Sequence, residues 1–285
     1  MCVSSPDEPP LVSIVMPIWN VPPEYVRAAI LGLLAQTFQR WELVIVEDPS
    51  DRLSSEVLAQ FADRRLRYIL NPSRTSLAQQ RNRCIQEAKA GIIACHDADD
   101  TSTVDRIGLQ YAYLLKNPEI GVLGCQLHIT DQHSTVIGQR HYPLDHDSIH
   151  RCMHRFNAIA QPSVMFRKEI IVASGGYRID GTCEDYDLWS RLLKAGVRFA
   201  NLPQALVRYR IHSEASKVAQ LRLTLINTLS VKERYWRPTM TFRDRVRLCL
   251  ERTLLLLPPK LVLLLFQRIQ YRPLDPKIPL MTVEK

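Results

Sequence analysis

The run Val12-Ser13-Ile14-Val15-Met16 carries no charge and ends at Pro17, the pattern of a strand buried on both faces. Over residues 24–36 the apolar positions fall at Val26, Ile30, Leu33 and Leu34, a spacing that predicts a helix. Leu43-Val44-Ile45-Val46 predicts a second strand, stopped by Glu47-Asp48-Pro49-Ser50. A short helix over 54–62, a strand over 66–70 and a helix over 76–90 follow, the last closed by Gly91 as its C′ residue. Ile92-Ile93-Ala94-Cys95 is a fourth strand that runs into His96-Asp97-Ala98-Asp99-Asp100. Apolar strands alternating with helices predict an α/β fold, its sheet mainly parallel and covered on both faces. In such sheets ligands bind beyond the carboxyl ends of the strands. Both acidic clusters fall there.

The second half predicts a helix over 103–116 and a strand over 121–129. A His-rich connection over 128–154 follows, then a strand over 163–166 and a turn at Gly175-Gly176-Tyr177. A helix over 184–195 and an extended segment over 207–211 complete this part. Residues 1–10 are expected to be a disordered N-terminus, 11–213 the α/β domain and 214–285 a helical C-terminal region. The 285 residues hold 37 Lys and Arg against 29 Asp and Glu, a net charge of +8. Residues 232–285 hold 12 against 5, so almost the whole excess belongs to the tail. That tail is also Leu-rich at 254–257 and 261–266, broken by Pro258-Pro259 and flanked by Arg243, Arg245, Arg247, Arg252 and Arg268. Arg252 and Arg268 enclose 15 residues, fewer than the roughly 20 apolar residues of a membrane-spanning helix. An interfacial helix pair on an anionic membrane is favoured. The other reading is an amphipathic hairpin packed on the catalytic domain or on a partner subunit.

Composition narrows the setting. With 46% apolar and 23% charged residues, disorder of the chain as a whole is disfavoured. Seven cysteines, an odd count without a C-x-x-C pair, argue against a disulfide framework or a structural zinc site. The polar start, with Asp7 and Glu8, is unlike a signal peptide, and a reducing, cytoplasmic setting is expected. No nucleic-acid module is recognisable and aromatics are 7%, so no nucleic-acid partner is expected. Neither G-x-G-x-x-G nor G-x-x-x-x-G-K-[ST] occurs.

Three stretches carry candidate chemistry. Asp97, Asp99 and Asp100 crowd three carboxylates at a strand end. Hard oxygen donors suit Mg2+ or Mn2+ completed by substrate phosphates, and a solvated acidic loop before a helix is the alternative. Glu47 and Asp48 repeat the arrangement, either as nucleotide contacts or as an Asx turn. Thr182 and Asp185 have capping-box spacing. A carboxylate in that first helical turn is kept ionised by the dipole and could accept a proton from a substrate hydroxyl. Trp189, one turn on, is either an apolar wall for a sugar or core.

In order and spacing these stretches resemble the family 2 inverting glycosyltransferases of the GT-A fold, over roughly residues 11–212. The opening strand with Pro17-Ile18-Trp19-Asn20, Ala78 with Arg81-Asn82, Asp97-Ala98-Asp99, Glu184-Asp185 and Arg210-Ile211-His212 carry the likeness. The resemblance implies a Rossmann-like nucleotide-sugar-binding domain and a metal held at Asp97 and Asp99 with Asp100. It implies Asp185 as the catalytic base, and Asn20, Glu47, Asp48, Arg81 and His212 as nucleotide or diphosphate contacts. Glu184 and Trp189 are expected beside the acceptor. Pro49 stands where the family usually has glycine, which stiffens the turn after Asp48. The implied partners are a nucleotide-sugar donor and a glycan or lipid-linked acceptor, at the inner face of a cell membrane. A sugar-phosphate nucleotidyltransferase is the other enzyme class, disfavoured because residues 12–20 hold no glycine. A catalytically degenerate member is the non-enzymatic alternative.

Overall fold

The computed structural model describes residues 8–178, 182–211, 214–258 and 261–262, with backbone alone for 214–220. In chain order the elements begin β1 (Val12–Ile18), α1 (Pro23–Leu34), β2 (Trp41–Glu47), α2 (Ser55–Leu58), β3 (Leu66–Leu70), α3 (Leu77–Glu87) and β4 (Ile92–Cys95). They continue β5 (Thr101–Ser102), α4 (Arg106–Lys116), β6 (Ile120–Thr130), β7 (Val136–Arg140), α5 (His146–Met153), β8 (Met165–Arg167) and α6 (Lys168–Ala173). Last come α7 (Glu184–Lys194), β9 (Arg198–Arg210), α8 (Glu214–Val231) and α9 (Phe242–Thr253).

One mixed sheet runs β3-β2-β1-β4-β8-β6-β9-β5, with β7 paired to β6. β3, β2, β1 and β4 are mutually parallel, as the apolar runs predict. β8 is antiparallel to both β4 and β6 and joins the two halves. Every residue of β1 and β2 is buried. Val12, Ile14, Met16 and Ile18 face one apolar cluster while Val15 faces the other, the period of two that a doubly covered strand requires.

Several boundaries differ from the pattern in the sequence. α3 ends at Glu87, short of Gly91. The next amides are taken by side chains of the sheet: Lys89 N donates to Glu42 Oε1 (2.6 Å) and Ala90 N to Ser13 Oγ (2.9 Å). Its start is as the sequence suggests, with Ser76 and Gln79 forming a reciprocal capping box. β9 is far longer than the extended segment expected at 207–211. Pro203 masks it, and the ladder accommodates the proline by stepping from Cys125–Leu202 to Gln126–Ala205, a bulge that requires no proline N–H. β7 and α5 lie inside the His-rich connection over 128–154, for which no element was expected.

The C-terminal helices described here pack on the domain. Leu229, Val231, Trp236, Met240 and Leu248 belong to the same apolar cluster as Leu188, Trp189 and Leu192 of α7. Trp236 Nε1 donates to Ser190 Oγ (2.9 Å), Tyr235 OH to Asp187 Oδ1 (2.8 Å), and His154 Nε2 lies 3.0 Å from Asp244 Oδ1. The packed-hairpin reading therefore describes α8 and α9 through Thr253; most of the Leu-rich stretch at 261–266, and Arg268, fall outside the described residues. No described helix is long and apolar enough to cross a membrane. The six described cysteines are free.

Candidate active site

The parallel strands set the site. β1, β2 and β4 end side by side, and Asn20, Asp48 and Asp97 follow their carboxyl ends. Helix α3 crosses behind them, and α7 enters from the other half of the chain. Arg81 of α3 is the meeting point. Its guanidinium is buried, with Nη2 3.2 Å from Asp97 Oδ1 and Nε 3.2 Å from Glu184 Oε1. Nη1 is buried without a hydrogen-bond partner. The expected diphosphate contact is thus a strut between the D-x-D strand end and the first residue of α7.

Asp185, the next residue, is held by two donors. Asn157 Nδ2 donates to Oδ2 (2.8 Å) and Tyr186 N to Oδ1 (2.7 Å). The capping box expected from Thr182 and Asp185 is absent. The N-cap is Cys183, at φ 69° in the left-handed region, and it makes no side-chain cap bond. Thr182 faces α8 instead, accepting from Asn227 Nδ2 at its carbonyl (2.9 Å). Asp185 is therefore not spent on capping.

Burial governs the charges here. It raises Asp185 above the usual carboxylate range, against the lowering pull of Arg81. Burial likewise pushes Glu184 up to about 7, again opposed by Arg81. Asp97 is raised by burial and by neighbouring Asp99, with Arg81 pulling the other way. Burial works against the charge of Arg81, yet Asp97 and Glu184 outweigh it and its proton is held more tightly than usual. Three carboxylates around one guanidinium leave the site short of positive charge. A divalent cation fits that deficit.

Asp97 is 25% exposed at its side chain, and Asp99 is half-buried. Asp100 points away. It is buried, its Oδ1 accepts from Arg210 N (2.8 Å), and Arg210 Nε donates to the Asp99 carbonyl (2.9 Å). Arg210 of the late motif also bonds the carbonyls of Asp131 and Gln132 and stacks on Tyr25 at 4.2 Å. It staples the acidic loop to the β6–β7 turn. Among the described residues no three His, Cys, Asp or Glu converge on one cation position, so a metal would draw most of its ligands from substrate oxygens, as Mg2+ commonly does. Asp97 and Asp99 are the more exposed of the three, and Asp100 keeps Oδ2 without a hydrogen-bond partner.

The second acidic pair divides. Glu47 is fully buried, its oxygens taken by Ser54 N, Ser54 Oγ and Tyr68 OH. It anchors the β2–α2 turn, which corrects the nucleotide role expected of it. Asp48, also buried, accepts from Thr75 N (2.6 Å), Thr75 Oγ1 and Asn71 Nδ2. Asn20 is exposed at φ 53° in the turn after β1. His212 lies outside the described residues. Trp189 is a second correction: it is wholly buried, edge-on to Tyr177 (6.3 Å) and Phe199 (6.1 Å), and forms core rather than a sugar-binding wall. Asn157, which no local pattern marks, is the contact that sequence reasoning lacks. A cavity of about 620 Å3 around Trp41 and Arg65 opens at the opposite end of the strands, where β2 begins, and includes none of these residues.

Comparison with known proteins bears on this arrangement. The O-antigen biosynthesis glycosyltransferase WbnJ of Escherichia coli is 30% identical over 237 residues, 81% of this chain and 91% of the relative. The Escherichia coli UDP-Glc:alpha-D-GlcNAc-diphosphoundecaprenol beta-1,3-glucosyltransferase WfgD is 32% identical over 107 residues, 38% of this chain and 42% of the relative. Among solved structures, the mannosyltransferase PcManGT of Pyrobaculum calidifontis, in complex with GDP-Man and Mn2+, superposes with a TM-score of 0.61 at 14% identity. That match covers 92% of this chain and 85% of PcManGT. The family model of glycosyl transferase family 2 matches residues 13–182, from β1 to the threshold of α7. The chain belongs to glycosyltransferase family 2, and its architecture is the GT-A fold.

Proposed function

We propose that the protein is a metal-dependent inverting glycosyltransferase, moving a sugar from a nucleoside-diphosphate sugar to an acceptor hydroxyl. The reading is supported by one observation: Arg81 ties Asp97 at the acidic end of β4 to Glu184, the neighbour of Asp185 at the start of α7. Asp185 takes the proton of the acceptor hydroxyl while its oxygen bonds to the anomeric carbon. The bond to the diphosphate breaks on the opposite face, and the nucleoside diphosphate leaves with the electron pair. A single displacement through an oxocarbenium-like transition state inverts the configuration. Mg2+ or Mn2+ at Asp97 and Asp99, when bound, supplies positive charge to the departing diphosphate. Asn157 orients the base and stabilises its ionised form, since a hydrogen bond to a carboxylate favours the charge. Asn20, Asp48 and His212 are assigned to the donor nucleotide, and Glu184 to the acceptor side.

The names of the relatives support polysaccharide assembly on a lipid-linked acceptor, and a donor of the UDP or GDP class. A peripheral position at the cytoplasmic face of an anionic membrane is supported by the basic tail and by α9, whose Phe242 and Leu250 are 81% and 63% exposed beside Arg243 and Arg247. The deciding experiment screens nucleotide sugars by thermal shift with Mn2+, then measures transfer by Asp185→Asn. Removal of a general base costs about 10^2–10^4-fold, while the donor-dependent thermal shift should persist. Transfer at the wild-type rate by Asp185→Asn would remove the base assignment, and absence of donor hydrolysis or transfer in the wild type would favour a degenerate member.

A further inference from the structure

The C-terminal helices form a second concavity, away from the one around Trp41 and Arg65. A cavity of about 400 Å3 opens between α8 and the turn after α9. Its wall is hydrocarbon, from Leu221, Leu225, the leucines at 254–257 and Val262. Among the described lining residues Arg222 is the one that carries a charge. The guanidinium sits at the rim, exposed, with Nη2 donating to the Leu255 carbonyl at 3.4 Å. Leu256 is 84% exposed at the mouth. Leucine around an open cavity, edged by an arginine, is a composition that accepts an amphiphile with an anionic head.

The groove is also close to the catalytic helix. On α8, Asn227 bonds Thr182, and Thr228 Oγ1 lies 3.3 Å from Cys183 Sγ, immediately before Glu184 and Asp185. At 1.5 Å rise per residue, Leu225 lies only about 3–5 Å along the axis from Asn227 and Thr228. A chain seated between Leu221 and Leu225 therefore lies on the helix that braces the base.

We propose that this groove holds the hydrocarbon chain of a phosphate-headed lipid acceptor, with Arg222 beside the phosphate; the proposal rests on the glycosyl-transfer reading above. Charge argues for the head: an exposed arginine at the rim, with no carboxylate among the described lining residues, favours phosphate over an uncharged group.

Calorimetric titration of the full chain with dodecyl phosphate, below its micelle concentration, tests this directly. Saturable binding is expected, weakened at least about ten-fold by Leu221→Trp, which fills the groove, and by Leu257→Glu, which brings a like charge to the phosphate. Arg222→Ala should weaken it several-fold, and dodecyl maltoside, with the same chain and no charge, should bind correspondingly less well. All three variants should keep wild-type Tm and the donor-dependent thermal shift. Absence of saturable binding, unchanged affinity in both Leu221→Trp and Leu257→Glu, or equal affinity for dodecyl maltoside would overturn the proposal. Loss of the donor response in the wild type itself would count against glycosyl transfer and leave the titration readable.

Discussion

Replacing Arg81 by methionine removes the only cation between Asp97 and Glu184 in the described structure while keeping most of the side-chain volume. The arginine side chain is 6% exposed and the Glu184 side chain 7%, so solvent cannot take its place. Breaking one partner out of a buried ion pair typically costs about 3–5 kcal/mol. Glu184 limits the damage, because its carboxyl is already pushed up to about 7 by burial and takes up a proton when the arginine leaves. The lower end, about 3 kcal/mol, is therefore expected. At roughly 2–4 °C per kcal/mol for a chain of this size, Arg81→Met should melt about 6–12 °C below wild type at pH 7.5. The pH dependence has a definite sign. Without Arg81 both carboxyls have folded pKa values above their unfolded ones, so their penalty is present at neutral pH and fades as the pH falls toward 4.5. The gap between variant and wild type should narrow over that range. In a double-mutant cycle with Glu184→Gln, the two changes should couple by about 1 kcal/mol or more. Scanning calorimetry at pH 7.5 and 4.5 measures all of this, and a variant melting within 2 °C of wild type at pH 7.5 would refute the strut.

Asn157→Ala should raise the pH at which activity switches on and lower kcat more than it changes KM, because Asp185 loses a donor that favours its charge; an unshifted acid limb of the rate profile would show that the contact does not orient the base. Gly176→Ala should cost about 1–3 kcal/mol, since Gly176 sits at φ 67° and a Cβ there meets Asn82 Oδ1, which accepts from Tyr177 N; denaturant titration reads it. Trp236→Ala should cost about 3–5 kcal/mol, as Trp236 is buried against α7. Wild-type stability in that variant would mean that the C-terminal helices are not integral to the domain.

What the sequence made legible is what depends on neighbours along the chain. The buried runs of β1, β2 and β4 need no information beyond their own apolarity, and their ends locate Asp48 and Asp97. The pairing of Arg81 with Glu184 spans 103 residues and has no local signature, which is why Arg81 read as a phosphate ligand. Asn157 lies in an irregular stretch, 28 residues from the carboxylate it holds. Thr182 and Asp185 had the correct capping spacing, but the left-handed Cys183 displaces the N-cap by one residue. Glu47 and Asp48 are adjacent in sequence yet face different partners, since consecutive side chains leave a strand in opposite directions. Trp189 was open between two fates, and the aromatic cluster with Tyr177 and Phe199 decided for the core.

The strut also sets rules for recombination. Arg81 and Asp97 come from the half of the chain that carries β1–β4, and Glu184 from a helix that begins just beyond the family match at residue 182. Acceptor preference invites exchange of the segment from α7 onward between relatives. A chimaera with its junction between residues 97 and 184 inherits the arginine from one parent and its second carboxylate from the other. Such exchanges must carry the three side chains as one cassette, or leave a charge buried without its counterpart.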